Sequence, residues 1–263
     1  MPWRAVNDEH AIERVRIVAQ FDAVIPTKLG NRMAEVVEES VADLGFGPRQ
    51  EVSGQGFEIA FGPSGAQANA ATTKISGWQF QRSNEKGPIE IISLENNTLA
   101  YEVGEYVRWE NFYERFLAGY SKAFSEVTHF AELSSLTLEY QDRFVFVGEP
   151  ETSNPNEIVP LTEIALPTGT ASEGNLWHMH RGWFQPWKFG KLLVHSNFDA
   201  QDGRFYDQRA RSVAVLTKAE ARSNLNVLDG DSLTTHIPIM HDVTNSVMSE
   251  ALSEFAKDLI GLD

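Results

Sequence analysis

Apolar side chains recur along this chain with two periods, which predict a mixture of helices and strands. In residues 26–47 the apolar positions fall on one stripe of 3.6-residue spacing, with Pro26 suited to the first turn and Gly45 to a left-handed cap, so we expect a helix. Residues 109–127 carry aromatic side chains on one helical face and predict a second helix. Residues 10–21 begin with apolar and charged side chains in alternation, which predicts a strand.

Short turn sequences divide the rest of the chain into further strands. A short strand is expected over 56–63, and the small and polar residues 62–73 predict a loop. A long strand is predicted over 132–149, where the alternation slips near Asp142 as at a β-bulge, and a proline-rich connection over 151–175 follows it. The remaining predicted strands cover 75–83, 88–95, 98–105, 175–187, 190–199 and 210–220, and a last helix is predicted over 241–261.

The order of these elements is nearly the same in the two halves of the chain. Residues 1–130 give the order β-α-β-β-β-β-α, and residues 131–263 give β-loop-β-β-β-α. Hairpin-linked strands followed by a helix are typical of the α+β class with antiparallel sheets. We therefore predict an α+β fold in one compact unit that arose by internal duplication. The sheets of the two halves join into one curved sheet, and the helices lie on one face.

Composition and charge narrow the function classes. The 263 residues include no cysteine, which excludes disulfides, thiol nucleophiles and iron–sulfur clusters. The net charge of −15 is spread over both halves, and acidic residues interrupt the best basic cluster, so we expect no nucleic-acid partner. No apolar run approaches the ~20 residues that span a membrane, and the first residues lack an apolar signal core. We therefore expect a cytoplasmic protein that does not bind membranes.

Short motifs with aromatic and charged residues follow each other along the chain: a WQFQRS strand, a W-x-x-F helix start, an L-x-L-x-Y-x-x-R-F strand and a helix with IMHDVTNSVM. In these motifs the chain resembles a sporadically distributed family of uncharacterised prokaryotic proteins of about this length. It departs from the family pattern at Met248, where an aromatic residue is expected. The resemblance implies no particular activity, and the patchy distribution implies an accessory role such as a defence or toxin–antitoxin-like module. The residues that carry it are Trp78, Phe80, Arg82, Trp109, Phe112, Leu138, Tyr140, Arg143, Phe144, His241 and Asp242.

The stretch 174–199 holds three of the seven histidines and is the strongest candidate for metal chemistry. On a strand, His178 and His180 point to the same face, opposite to the more apolar face of the tryptophans. One hairpin turn would place His180 opposite Asp199, and an earlier turn would place His178 opposite His195, so the ligand set stays open. Histidines on a half-exposed sheet face without metal are the simpler interpretation, and we predict no bound cofactor.

Charged residues in apolar surroundings offer further candidate sites. Asp142 and Arg143 lie in an apolar strand, where they indicate a bulge or a buried ion pair, and Arg82 is the counterpart of Arg143 in the first half. A small anion or carboxylate ligand between the halves is one interpretation of these arginines, and a salt bridge to a helix acid is the other. His241 and Asp242 stand at a predicted helix start, where they form either a catalytic dyad or, more simply, a helix cap and its neighbour.

The aromatic hairpin favours protein binding over the other function classes. Tryptophan and arginine dominate interface hot spots, so we predict a non-enzymatic, acidic protein that binds another protein, and exposed edge strands favour a homodimer. Two alternatives stay open: a small-molecule binding module with its ligand between the curved sheet and the helices, and a metal-dependent enzyme on the histidine face. The candidate partner- or ligand-binding residues are Trp177, His178, His180, Arg181, Trp183, Trp187, Phe189, Arg82 and Arg143, and those of the metal alternative are His178, His180, His195 and Asp199.

Replacement of Trp187 by alanine tests the protein-binding hypothesis. If this side chain contacts a partner, Trp187→Ala weakens capture of that partner and leaves the melting temperature unchanged, because a surface residue contributes little to the core. The measurements are a pull-down and thermal unfolding. A large fall in melting temperature would instead make Trp187 a core residue.

Overall fold

One open antiparallel sheet forms the centre of the protein. The computed structural model describes residues 2–7, 10–56, 59–62, 65–68, 72–85, 87–106, 108–160, 176–205 and 207–262. The strands within these ranges are β1 (Trp3–Ala5), β2 (Ile12–Phe21), β3 (Gln50–Gly56), β4 (Ile59–Gly62), β5 (Gly65–Ala68), β6 (Thr72–Asn84), β7 (Gly87–Glu95), β8 (Thr98–Val103), β9 (Leu133–Phe146), β10 (Trp177–Trp187), β11 (Gly190–Phe205) and β12 (Gln208–Asn226). The large sheet has the order β10-β11-β12-β9-β2-β8-β7-β6-β3, β1 pairs with the end of β9, and β4 and β5 form a separate hairpin.

Helices pack against one face of this sheet. The two helices predicted from apolar stripes are confirmed as α1 (Thr27–Val41) and α2 (Trp109–Thr128). Three more helices follow the last strand: α3 (Ser232–Thr235), α4 (Ile237–Ala251) and α5 (Glu254–Ile260). Single turns of 3-10 helix occur at Ala42–Leu44, Pro150–Thr152 and Pro155–Glu157.

The core lies between the sheet and these helices. Ile17 of β2 and Leu138 of β9 belong to the same buried cluster as Met33 of α1, Phe116 of α2 and Met240 of α4. One face of the central strands is therefore covered by helices from both halves of the chain, and the α+β class is confirmed. No helix in the described ranges is long and apolar enough to cross a membrane.

The two halves of the sheet arrange their strands in the same way. In each half the first long strand lies at the centre, and the last strand and the two strands before it follow outward. The order is β2-β8-β7-β6 on one side and β9-β12-β11-β10 on the other. Two equivalent halves joined through their first strands would give this order. The internal duplication itself stays a prediction.

Two connections differ from the predicted ones. Strand β5 lies within 62–73, where we expected a loop, because backbone pairing with β4 does not depend on the small side chains of this stretch. The connection predicted over 151–175 begins with two 3-10 turns, and from residue 161 onward it lies outside the described residues.

The last predicted helix, over 241–261, is two helices with an earlier start. Helix α4 begins at Ile237 because Pro238 suits a first helical turn. It ends before Leu252, whose backbone is extended. The Ser253 side chain then caps α5 by accepting a hydrogen bond from a backbone N–H in its first turn.

The bulge predicted near Asp142 lies on the neighbouring strand. The pairing of β9 with β12 runs without interruption over Ser135–Val145, whereas its pairing with β2 shifts register just after Ile12. Glu13 is the extra residue of this bulge, and its carboxylate accepts hydrogen bonds of 2.9 and 3.0 Å from Nε of Arg143. Beyond the bulge, Ile12 stands opposite Asp142. Strand alternation therefore turns the Asp142 side chain toward the helix-covered face, away from Arg143.

Candidate functional site

A cavity of about 150 Å³ lies between the centre of the sheet and the C-terminal helices. Strands β9 and β12 form its floor, and its walls come from α4, from the segments that precede β2 and α2, and from the end of α5. We call it the central cavity. Its polar and aromatic lining consists of His10, Tyr106, Tyr140, Asp142, Thr217, His241, Thr244 and Asn245, and its apolar lining includes Ile12, Met248, Ile260 and Leu262.

Strand alternation and register bring the floor residues together. Tyr140 and Asp142 are two residues apart on β9, so their side chains point to the same face. Thr217 of β12 stands directly opposite Tyr140. On α4, His241 and Met248 are seven residues apart, which places both over this floor. Three sequence segments that are distant along the chain therefore supply one group of side chains.

Asp142 is the most unusual residue of the central cavity. Its side chain is buried, with only 4% of the residue exposed. Among the described residues none donates a hydrogen bond to its carboxylate, and none forms an ion pair with it. Burial raises the pKa of Asp142 from its ordinary value of 3.8 to about 7, because no neighbouring group stabilises the charged form. This carboxyl group therefore exchanges its proton near neutral pH.

Two further buried polar atoms of the central cavity lack partners in the described part of the chain. They are Oγ1 of Thr217, on a residue that is 1% exposed, and Nδ1 of His10. The other ring nitrogen of His10, Nε2, bonds to the backbone carbonyl of Tyr106. Because a carbonyl oxygen only accepts, Nε2 carries the hydrogen, which leaves Nδ1 of the neutral ring as an acceptor. Burial of an unpaired polar atom costs free energy.

A hydrogen-bonded aromatic group holds the helix side of the central cavity in place. The ring of His241 stacks on Trp109 with a centroid distance of 3.9 Å, and its Nδ1 lies 3.0 Å from the hydroxyl of Tyr140. Burial lowers the pKa of His241, against the weaker opposing effect of Asp242 and Glu110, and burial raises the pKa of Tyr140. A neutral imidazole and a protonated phenol result, and a hydrogen bond joins them.

The β10–β11 hairpin has a register between the two predicted ones. His178 stands opposite Asp199 and hydrogen-bonds to it, whereas His180 stands opposite Asn197. The two-residue turn at 188–189 fixes this pairing. Both predicted registers are therefore wrong, because a shift of the turn by one or two residues changes every cross-strand partner.

Among the described residues, the histidine face of the hairpin does not form a metal-ligand set. The rings of His180 and His195 lie 5.6 Å apart between centroids, and His178 is engaged with Asp199. Within the ranges that the structure describes, no group of three or more His, Cys, Asp or Glu side chains is arranged to hold a metal ion.

The tryptophan face of the hairpin is partly integrated into the core. Trp177 is buried, and Trp183 and Trp187 are half-buried and pack against the main core cluster. Nε1 of Trp187 donates a hydrogen bond of 2.5 Å to the side chain of Asn226. The guanidinium of Arg181 lies 5.3 Å from the ring centroid of Trp183.

The two arginines singled out from the sequence pair with strand acids and not with helix acids. Nε of Arg82 donates to Glu90 at 2.6 Å, because β6 and β7 place these residues directly opposite each other. Arg143 pairs with Glu13 at the bulge of β2. Neither arginine lines the central cavity; Arg143 lines a shallow depression on the open face of the sheet.

His241 and Asp242 do not form a dyad or a cap. Both lie inside α4, which begins at Ile237, so the predicted cap at Asp242 is wrong. Asp242 is exposed, whereas His241 turns inward to the central cavity. Helical spacing points neighbouring side chains in different directions, which separates the two groups.

The sequence contained a partial signal for this site. Trp109, Tyr140 and His241 all belong to the pattern that resembles a prokaryotic family, and the structure brings the three into contact. Asp142 stood out as a charged residue in an apolar strand. His10 and Thr217 gave no signal, because a single polar residue within a strand or at its start is common.

No family model, curated protein or solved structure matches the chain. The resemblance in the scattered motifs therefore stays a prediction. A functional proposal for this protein can rest only on the geometry of the central cavity.

The variant Asp142→Asn tests the buried carboxyl group. Because the folded-state pKa is raised to about 7, the protonated form stabilises the fold at low pH, and this stabilisation is lost as the pH rises through 7. Relative to Asp142→Asn, the wild type should therefore lose roughly 3 kcal/mol of unfolding free energy between pH 5 and pH 8. Urea unfolding at both pH values measures this, with the exposed Asp242→Asn as control. An equal difference between wild type and Asp142→Asn at both pH values would contradict the assignment.

Two threonine-to-valine variants test whether Thr217 is unpaired. Thr217→Val should raise the free energy of unfolding by about 1 kcal/mol, because it removes a buried hydroxyl without a partner. Thr244 lines the same cavity, but its hydroxyl donates to backbone carbonyls of α4 at 2.9 and 3.0 Å. Thr244→Val should therefore lower stability by about 1 kcal/mol. Chemical denaturation measures the free energy of unfolding of both variants. A loss of stability in Thr217→Val would show that the Thr217 hydroxyl has a partner.

Proposed function

We propose that this protein binds a small organic molecule in the central cavity. The observation that carries the proposal is the Asp142 carboxyl group, which lines the cavity and has no partner among the described residues. Oγ1 of Thr217 and Nδ1 of His10, on two other lining residues, are buried and unpaired as well. Folded proteins pair nearly all buried polar atoms. A few polar groups on a largely apolar lining are typical of small-molecule sites.

The composition of the lining supports a ligand over a purely structural cavity. Ordered water satisfies buried polar atoms in many proteins, and a volume of about 150 Å³ would hold about five molecules at ~30 Å³ each. Such a cluster would leave the apolar wall of Met248, Ile260 and Leu262 facing water. A molecule with one polar end and one apolar end fits both parts of the lining.

The rim of the central cavity offers a direct test. Asn245 lines the cavity and is exposed on α4, so an indole at this position should cover the entrance without disturbing the core. Ser246 is the next residue, is also exposed, and does not line the cavity. Asn245→Trp and Ser246→Trp therefore form a matched pair.

Ligand-observed NMR with a mixed library of fragments of five to eight heavy atoms measures binding to the wild type and to both variants. We expect some fragments to bind the wild type and Ser246→Trp, and their binding to fall at least about tenfold in Asn245→Trp, because the entrance is closed. Failure of every fragment to bind the wild type, or equal binding to Asn245→Trp, would overturn the proposal.

Protein binding through the edge strand β10 is the second candidate. Arg181 and Trp183 are half-buried on this strand and form a cation–π pair, a combination common at interfaces. Trp187 has contacts of its own with Asn226 and His236, so its replacement should lower the melting temperature. Arg181→Ala is therefore the cleaner probe of a partner. A homodimer and an accessory role in a defence or toxin–antitoxin-like module belong to this second candidate and stay predictions.

A further inference from the structure

The charge balance of the central cavity indicates the kind of group that it can bind. Asp142 has no cation beside it in the described structure, and the lining contains no lysine or arginine. The next residue, Arg143, points to the other face of the sheet and pairs there with Glu13. Lys218, which follows Thr217, pairs with Glu220 on that other face. A bound anion would add a second unpaired negative charge, whereas a bound cation would neutralise the first.

The unpaired carboxylate also matches the donors of one chemical group. Asp142 lines the central cavity, and both oxygens of its carboxylate can accept hydrogen bonds. A primary ammonium group has three N–H donors and no acceptor. An acceptor without a partner and a group that only donates are complementary in kind. Oγ1 of Thr217 and Nδ1 of His10 are unpaired as well, but both atoms are fully buried.

Aromatic rings line the same space. The rings of His10 and Tyr106 meet at 90° with centroids 5.8 Å apart, and those of Tyr106 and Tyr140 meet at 83° with centroids 6.1 Å apart. These rings therefore line the cavity nearly at right angles to one another, and the faces of tyrosine rings attract cations. The net charge of −15 further favours the approach of cations from solution.

We propose that the central cavity recognises the primary ammonium group of a small aliphatic amine, with the Asp142 carboxylate as its acceptor and with Met248, Ile260 and Leu262 around the apolar end. This rests on the proposed binding function and names the ligand class for the same site. The volume of about 150 Å³ limits the ligand to a molecule of about the size of benzene.

Protonation should control this binding. Asp142 must be ionised to pair with the cation, and the titratable groups that face it are His10, Tyr106, Tyr140 and His241. With a pKa of about 7, Asp142 is about one-tenth ionised at pH 6, so the affinity should be about tenfold higher at pH 8. Protonation of His241 at low pH would act in the same direction, whereas burial raises the pKa of both tyrosines, which stay protonated throughout this range.

Isothermal titration calorimetry with n-butylammonium, 1-butanol, butyrate and tetramethylammonium tests the assignment on the intact chain. We expect n-butylammonium to bind most tightly, with release of a proton at pH 6 and little release at pH 8. Asp142→Asn should weaken it at least about 30-fold, because the charge partner is lost. The exposed Asp242→Asn serves as control and should leave the affinity unchanged.

The outcomes separate the ligand class from the binding function. Butanol or butyrate binding as tightly as n-butylammonium would overturn the ammonium assignment and leave the central cavity as a binding site. Equal binding of tetramethylammonium, which has no N–H donor, would overturn the role of the Asp142 carboxylate as a hydrogen-bond acceptor. If none of the four compounds binds while library fragments do so in a manner sensitive to Asn245→Trp, only the ammonium assignment is overturned. If nothing binds at all, both proposals are overturned.

Discussion

The pairing of β2 with β9 at the centre of the sheet is the constraint on which the rest of the structure depends. These strands join the two halves of the chain, and the bulge at Glu13 sets which residues face the helices beyond it. On the open face, Arg143 is held by Glu13. On the helix face, Asp142 has no such partner. One irregularity in the pairing thus coincides with a satisfied charge on one side and an unsatisfied one on the other.

An unsatisfied buried carboxyl group is a poor choice for stability alone. An apolar residue of similar volume would remove the cost of burying the charge, as is often found for buried ionic groups. Natural proteins retain such groups most often at functional sites, where binding compensates what folding loses. The unpaired hydroxyl of Thr217 beside it follows the same reasoning. Under the proposed function, the central cavity is a region where the fold gives up stability to hold a carboxyl group for a ligand.

Local patterns predicted the elements well and the site poorly, for a physical reason. Helices α1 and α2 follow from apolar stripes that any 3.6-residue repeat would reveal, and the two faces of β10 follow from simple alternation. The central cavity depends on the register between β9 and β12 and on where α4 begins. Register depends on turns and bulges of single residues, which leave almost no trace in composition. Asp142 was noticed from the sequence, but only the folded structure shows that its carboxyl group has no hydrogen-bond or ion-pair partner among the described residues.

The walls of the central cavity have a consequence for the order of folding. Residues 10–12 and residues 260–262 both line it, although about 250 positions of chain separate them. Contacts of such high sequence separation close a loop of nearly the whole chain, so the walls are complete only when the sheet has assembled and α5 has docked. The space is thus enclosed only by a completely folded chain. A molecule that occupies it would report on the integrity of the whole protein, and it would hold the first central strand and the last helix together.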